Sequence, residues 1–420
     1  MQAVTATALA TTEREEDAVI GRRDLESGQM QDVKEEDMDE SEDKEPLWKR
    51  KLRCNLCLVI LAPILFSALL VAVYFLVQWV HTKNEDDETE PPAAPSTLFQ
   101  LLVERSFDEG AALANQSSPQ YQAYEWLASN SNVTTLSVQR QLTRYALACL
   151  YFSTGDDWLV DDLWLTERDE CVWYSRSRSS SCDSNGNFID LHLSYNNLQG
   201  TLPLELGYLT SLGTINIVGG NKAIGGSLPT SLGLLSHLEE LRLQNNDLIG
   251  TLPSEVAGWS NLRGIDLSKN QLSGTFPSEI GAWTSLFTLS AEYNRFEGSL
   301  PSSLSPNLKS LALAHNKITL IPVEIGRLRD LVFIELQDNA LSGTLVSEIG
   351  QIAELRVLRL SQNNLTEAIP SSFGNLKYIN ELDLSENDFT GQIPSELAIP
   401  SLRILRLDSN RLTGNIPNSF

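Results

Sequence analysis

Residues 238–253 read LEELRLQNNDLIGTLP, and the same pattern returns in register at 262–277 (LRGIDLSKNQLSGTFP), 379–394 (INELDLSENDFTGQIP) and 402–417 (LRILRLDSNRLTGNIP). The asparagine of this unit falls at 196, 221, 246, 270, 294, 316, 339, 363, 387 and 410. Its steps stay close to about 24 residues, a length that marks one structural coil per unit. In Leu241-x-Leu243 the alternation turns both leucines inward and sets Glu240, Arg242 and Gln244 outward. Asn246 supplies an amide able to satisfy turn backbone between stacked coils, which explains a polar residue pointing inward. Leu248, Leu252 and Leu262 fill the coil, Gly250 permits a tight backbone, and Pro253 ends local pairing. No single coil buries its apolar face alone, so neighbours must stack into one core.

The period and the L-x-x-L-x-L-x-x-N-x-L pattern are the signature of the leucine-rich repeat. Fold class follows: an α/β solenoid, a horseshoe with parallel β-strands on its concave face, across ten repeats at 189–420. The ending L-x-G-x-[IL]-P is similar to the plant-type subclass found in receptor-like ectodomains. Upstream, Trp158, Trp164, Cys171-Val-Trp173 and Cys182-Asp-Ser-Asn-Gly186 resemble that family's N-terminal cap. The resemblance implies a Cys171–Cys182 disulfide in an oxidising compartment, across a spacing longer than the usual cap. With Ser118-Pro119 and Arg144-Tyr145-Ala146, the whole also resembles single-pass proteins of unicellular algae. Residues 97–153 are expected to be helical, since Ser137–Tyr151 puts Leu142, Tyr145, Ala146, Cys149 and Leu150 on one face. Cys149 is expected to stay a buried free thiol.

The chain departs from plant receptor kinases in having no kinase motif and a membrane span ahead of the repeats. The second repeat is expanded at 215–221 and the sixth shortened at 318–322, Glu367 stands for the usual glycine, and Val346 for a proline. An open last coil is expected to expose Leu405, Leu407, Leu412 and Ile416, so either the sequence is truncated after Phe420 or something covers that edge. Truncation is the favoured reading.

From Cys54 to Val80 no charged residue interrupts the chain, and 54–81 is expected to form one transmembrane helix of the signal-anchor kind. Lys49, Arg50, Lys51 and Arg53 precede it and an acidic stalk follows at 82–96, which predicts an N-terminus inside and a C-terminus outside, at the plasma membrane. Residues 1–53 are acidic up to that basic cluster and poor in large apolar residues, hence expected to be disordered, with room for a cytoplasmic adaptor or kinase to bind. Cys54 and Cys57 are candidates for lipidation, and serve equally as small apolar residues opening a membrane helix. Asn115, Asn132 and Asn364 head N-glycosylation sequons that the outside topology exposes.

A net charge of −24 excludes nucleic-acid binding as the leading idea. Five cysteines and four histidines give no metal-ligand pattern, and no catalytic motif is present, so neither metal, cofactor nor enzymatic activity is expected. The acids at 156, 157, 161, 162, 167, 169 and 170 read as a solvated face rather than a Ca²⁺ loop. Recognition remains. The central outward positions run His192, Asn216, Arg242, Asp266, Ser290, Ala312, Glu335, Arg359, Asp383 and Arg406. The mid-array cluster Tyr293, His315, Phe333, Glu335 and Arg359 is the candidate ligand-binding site, with three rings as one aromatic floor and the charged pair orienting a polar group. The expected partner is an extracellular peptide, glycan or protein. The alternative is a structural or adhesive surface protein, or an inhibitor of extracellular enzymes, that passes no signal inward.

Overall fold

The structure, a computed structural model, describes residues 96–155, 157–161, 163–173, 180–220 and 222–420. The tail, the 54–81 span, most of the stalk, Cys54, Cys57, Asp156, Asp162 and Asn221 lie outside them. Among the described residues no helix is long and apolar enough to cross a membrane.

Three helices come first: α1 (Thr97–Arg105), α2 (Pro119–Ser129) and α3 (Val138–Ser153). Each starts where a serine hydroxyl accepts a backbone N–H of the first turn: Ser96 from Phe99, Ser118 from Tyr121, and Ser137 from Arg140. Pro119 opens α2, where its missing N–H costs nothing. The α3 stripe divides its work. Tyr145, Ala148 and Cys149 pack with α1 and α2, while Ala146, Leu147 and Leu150 join the core of the repeats. Cys149 is a buried free thiol and Cys171 is bonded to Cys182.

The segment ahead of the first coil, termed the cap for its position alone, has a polar centre that the sequence reading placed at the surface. Glu170 is 1% exposed, not solvated. Arg140 donates to both its carboxylate oxygens at 2.8 and 2.7 Å, and the Arg144 Nε lies 3.6 Å away. Arg144, itself buried, lies against Trp126 and Trp173 and donates to the Thr166 and Arg168 carbonyls. A carboxylate drawn out of water persists only where cations and donors replace its hydration. Of the other described acids, Asp157 meets Lys222, Asp161 accepts from the Tyr151 hydroxyl, and Asp169 meets Arg140.

From Asp190 onward each coil contributes a three-residue strand, a turn held by asparagine, and usually a single 3-10 turn on the opposite side. The strands β1 (Asp190–His192), β3 (Thr214–Asn216), β5 (Glu240–Arg242), β7 (Gly264–Asp266) and β9 (Thr288–Ser290) continue as β11 (Ser310–Ala312), β13 (Phe333–Glu335), β15 (Val357–Arg359), β17 (Glu381–Asp383) and β18 (Ile404–Arg406). They form one parallel ten-stranded sheet in that order. Between them, β2 (Gly200–Thr201), β4 (Ile224–Gly226), β6 (Asp247–Gly250), β8 (Gln271–Gly274), β10 (Arg295–Ser299) and β12 (Lys317–Leu320) make a second, six-stranded sheet. It ends at the shortened sixth repeat: β12 pairs with β10 through a register shift, and β14 (Ser342–Thr344) pairs only with β16 (Asn364–Thr366).

The asparagine ladder does what the spacing required. Asn270 donates to the Leu243 and Leu267 carbonyls and its Oδ1 accepts the Leu248 N–H, so one amide ties two coils. The first rung differs, since Asn196 bonds both backbone groups of Val160 and fastens the cap to the first coil. Trp259 and Trp283 stack at 5.8 Å, and each indole N–H donates to the carbonyl of an earlier coil. At the far end Leu405, Leu407 and Leu412 pack against the preceding coil, to which β17 and the Asn410 rung hold them. They stay only half-buried where Leu382 and Leu384 one coil earlier are fully buried, so the open coil exposes them in part. Ile416 is exposed, as expected.

Candidate functional site

The outward rows follow from register. Leu191 pairs with Ile215 and Leu241 with Ile265, so the residues between the inward leucines align across the sheet. The row runs unbroken from His192 through Arg242, Asp266, Ser290, Ala312, Glu335 and Arg359 to Arg406, as the spacing predicts. Gly264 leaves a gap in the row beside it, opening a depression of about 370 Å³ between Glu240, Arg242, Gln244, Asp266, Thr288 and Ser290.

Of the five candidate residues, the structure joins two pairs. The Tyr293 and His315 rings stack at 4.0 Å, nearly parallel at 16°. His315 Nδ1 lies 2.7 Å from an Asp338 carboxylate oxygen, and Lys269 stands over the tyrosine ring at 5.9 Å. Glu335 pairs with Arg359, which also grips Glu381 through two bonds of 3.0 Å. That carboxylate was missed because it lies two strand positions back on the next coil, adjacent only once the register is known. The guanidinium is therefore clamped between two acids, an arrangement that fixes the strip's charge pattern.

Phe333 stands apart from the two stacked rings. It starts β13, in the row of Thr288, Ser310 and Val357, whereas Tyr293 and His315 follow their strands and directly precede the ladder asparagines. The aromatic floor is therefore two rings, and Phe333, 42% exposed, belongs to the opposite edge of the strip. Glu292, beside Tyr293, is half-buried. Burial raises its pKa, helped by Glu335 and Asp266 and opposed by His315 and Lys269.

The sequence reading also missed a backbone feature of that turn edge. Tyr195, Asn245, Lys269, Tyr293, His315, Asp338, Gln362, Glu386 and Ser409 all hold positive φ, between 52° and 60°. Each precedes a ladder asparagine. The left-handed kink aims the asparagine inward and its predecessor outward, so Tyr293 and His315 project from a rigid turn. Nothing in the residue types announces it. Of the sequons, Asn115 and Asn132 lie exposed in turns near the helices, and Asn364 is exposed at the start of β16.

Leucine rich repeat family models match residues 187–209, 237–259, 261–283 and 353–412. No curated protein matches the chain. Among solved structures, the leucine-rich-repeat ectodomain of the membrane receptor kinase GASSHO1/SCHENGEN3 from Arabidopsis thaliana, in complex with Casparian strip integrity factor 2, is 37% identical with a TM-score of 0.52. The match covers 55% of this chain and 28% of that one. The plant peptide hormone receptor RGFR1, in complex with RGF2, is 32% identical over 53% of this chain and 40% of its own, with a TM-score of 0.50. The Arabidopsis receptor kinase HAESA ectodomain, with a peptide hormone ligand, is 29% identical over 67% of this chain and 47% of its own, with a TM-score of 0.56. The chain thus spans less than half the length of each of these receptors. Its repeats are leucine-rich repeats similar to those of plant receptor-kinase ectodomains.

Proposed function

We propose that this chain is a single-pass, membrane-anchored recognition protein whose repeats bind an extracellular peptide, glycan or protein. The observation that carries the reading is the row from His192 to Arg406, set on rigid parallel strands with most of its side chains reaching solvent. Residues on such strands lose little entropy on binding. Similarity to receptors of peptide hormones supports a peptide or protein ligand. The charge asymmetry around residues 54–81 supports a signal anchor at the plasma membrane with the repeats outside, where Asn115, Asn132 and Asn364 meet the glycosylation machinery. Residues 1–53 would recruit an adaptor or kinase, Cys54 and Cys57 are candidates for a lipid, and the chain performs no chemistry of its own.

The test is a binding screen of the full-length chain against extracellular peptides and glycans, repeated with Phe333→Ala and Arg359→Ala. Both variants are expected to fold, by circular dichroism, and to bind the screened ligand more weakly. Unchanged affinity in both removes this site. Topology is read separately: a mass shift with an N-glycosidase is expected, and its absence together with protease protection of a C-terminal tag in intact cells refutes the orientation.

A further inference from the structure

The edge of the sheet where the strands begin carries a second row. Backbone bonds of 2.7 to 2.9 Å link Arg263 to Phe287, Phe287 to Lys309, Lys309 to Val332, Val332 to Arg356, Arg356 to Asn380 and Asn380 to Arg403, one residue per coil. Cations therefore recur on every second coil: Arg263, Lys309, Arg356 and Arg403. Between the first two stands Phe287, 39% exposed, with the Lys309 ammonium 5.8 Å from its ring. Phe333 and Val332 follow on the next coil. Arg263 is partnered by Glu239 at 3.4 Å, while Lys309, Arg356 and Arg403 have no carboxylate partner among the described residues. In a chain of net charge −24 this basic edge is an exception.

Its spacing selects a partner. Parallel strands lie about 4.8 Å apart, so cations on alternate coils repeat at about 9.6 Å. A β-extended peptide turns the same side outward at multiples of about 6.7 Å, which misses each neighbouring cation by about 3 Å and so cannot meet consecutive ones. A polyproline II helix has three residues per turn and rises about 3.1 Å per residue, presenting the same side every 9.3 Å or so. Over the three intervals from Arg263 to Arg403 the two repeats differ by only about 1 Å. Proline rings between the acids would pack on the exposed phenylalanines, as aromatic surfaces receive such helices elsewhere.

We propose that the edge formed by Arg263, Phe287, Lys309, Phe333, Arg356 and Arg403 docks a polyproline II segment bearing an acidic residue at every third position. The proposal rests on the recognition reading above and names the partner's chemistry.

The probe is the blocked peptide (Pro-Pro-Glu)5, titrated by fluorescence anisotropy into the full-length chain. It is compared with (Pro-Pro-Gln)5 and with a scrambled peptide of the same composition lacking the three-residue period. (Pro-Pro-Glu)5 is expected to bind at least tenfold more tightly than either, with an affinity that falls as salt rises. Lys309→Glu/Arg356→Glu should abolish that preference, and Lys309→Arg should retain it. Equal binding of the periodic and scrambled peptides overturns the proposal, as does indifference to the double reversal. Binding of polygalacturonate without (Pro-Pro-Glu)5 overturns it in favour of a glycan. If (Pro-Pro-Glu)5 fails while a screened ligand still binds, the recognition reading stands and only this edge falls.

Discussion

The cap and the repeats are held together by different means, though one side of α3 enters the core of the repeats. In the repeats each contact has a copy about 24 residues away: the Asn246, Asn270, Asn294, Asn316, Asn339, Asn363, Asn387 and Asn410 amides make the same kind of bonds, and the leucines the same contacts. Among the described residues of the cap the key contacts have no copy: the buried Glu170 carboxylate, the buried Arg144 against two indoles, and the Cys171–Cys182 disulfide. Damage to a periodic structure is shared with neighbouring copies, whereas a unique contact has no substitute. The cap should therefore be the more brittle part.

Glu170→Ala is the sharpest way to break that contrast, and carries the largest expected effect. It leaves Arg144 buried without its carboxylate, a loss of about 3–5 kcal/mol. Hydrogen exchange should rise across residues 138–173 and stay low in the distant coils. A uniform rise along the chain would show that the cap and repeats unfold as one. Next is Leu336→Ala, which opens a cavity in a residue with no exposed surface and should cost about 2–5 kcal/mol. Here exchange should rise symmetrically on both sides of the coil. Third, replacing Cys171 and Cys182 by serine releases a closure over 11 positions and should cost about 2–3 kcal/mol, read as a lower midpoint of the cap in urea. An unchanged midpoint would mean the Arg140–Glu170–Arg144 cluster alone fixes the cap.

The same contrast governs what could be read from the chain. Repetition averages out accidents, so ten asparagines and their leucines yielded strand register, inward faces and even the outward row. The departures at Glu367 and Val346 illustrate how much the scaffold imposes. Glu367 takes φ +65°, near the +81° of Gly250, and Val346 takes the −66° that a proline would have supplied. Neighbouring coils dictate the conformation, and the residue complies at a cost of about 1–2 kcal/mol for the non-glycine. The cap offered no repetition. Its acids looked alike in sequence, and nothing there distinguished Glu170, which two arginines draw inward from α3, from Asp157 at the surface. Long-range pairing was equally illegible on the strip, where Arg359 turned out to hold Glu381 as well as Glu335.

The junction of the two regions supplies the smallest and most selective test. Glu205 follows the first coil's strand but is buried beneath the helices, where the Gln120 side-chain amide donates to it at 3.1 Å and no cation partners it among the described residues. Burial raises its pKa, and Asp108 adds to the rise, against lowering by its own backbone and Gln120. In the unfolded chain the carboxyl loses its proton near the usual glutamate value. The folded state thus holds a proton that the unfolded state has released, and stability falls as pH climbs from that value through the raised one. Below the unfolded pKa the group is neutral in both states and its contribution is complete. Glu205→Gln keeps the shape and the amide contact while removing the titration. The variant should match the parent at pH 4 and exceed it by about 1 kcal/mol at pH 7.5, measured by thermal melting, with the gain confined to exchange in α2 and the first coil. A Gln variant less stable than the parent at pH 7.5 would mean that the ionised carboxylate is itself satisfied at the junction. In that case the helices would be held to the repeats by charge, and the line between the unique and the periodic regions would have to be moved beyond Glu205.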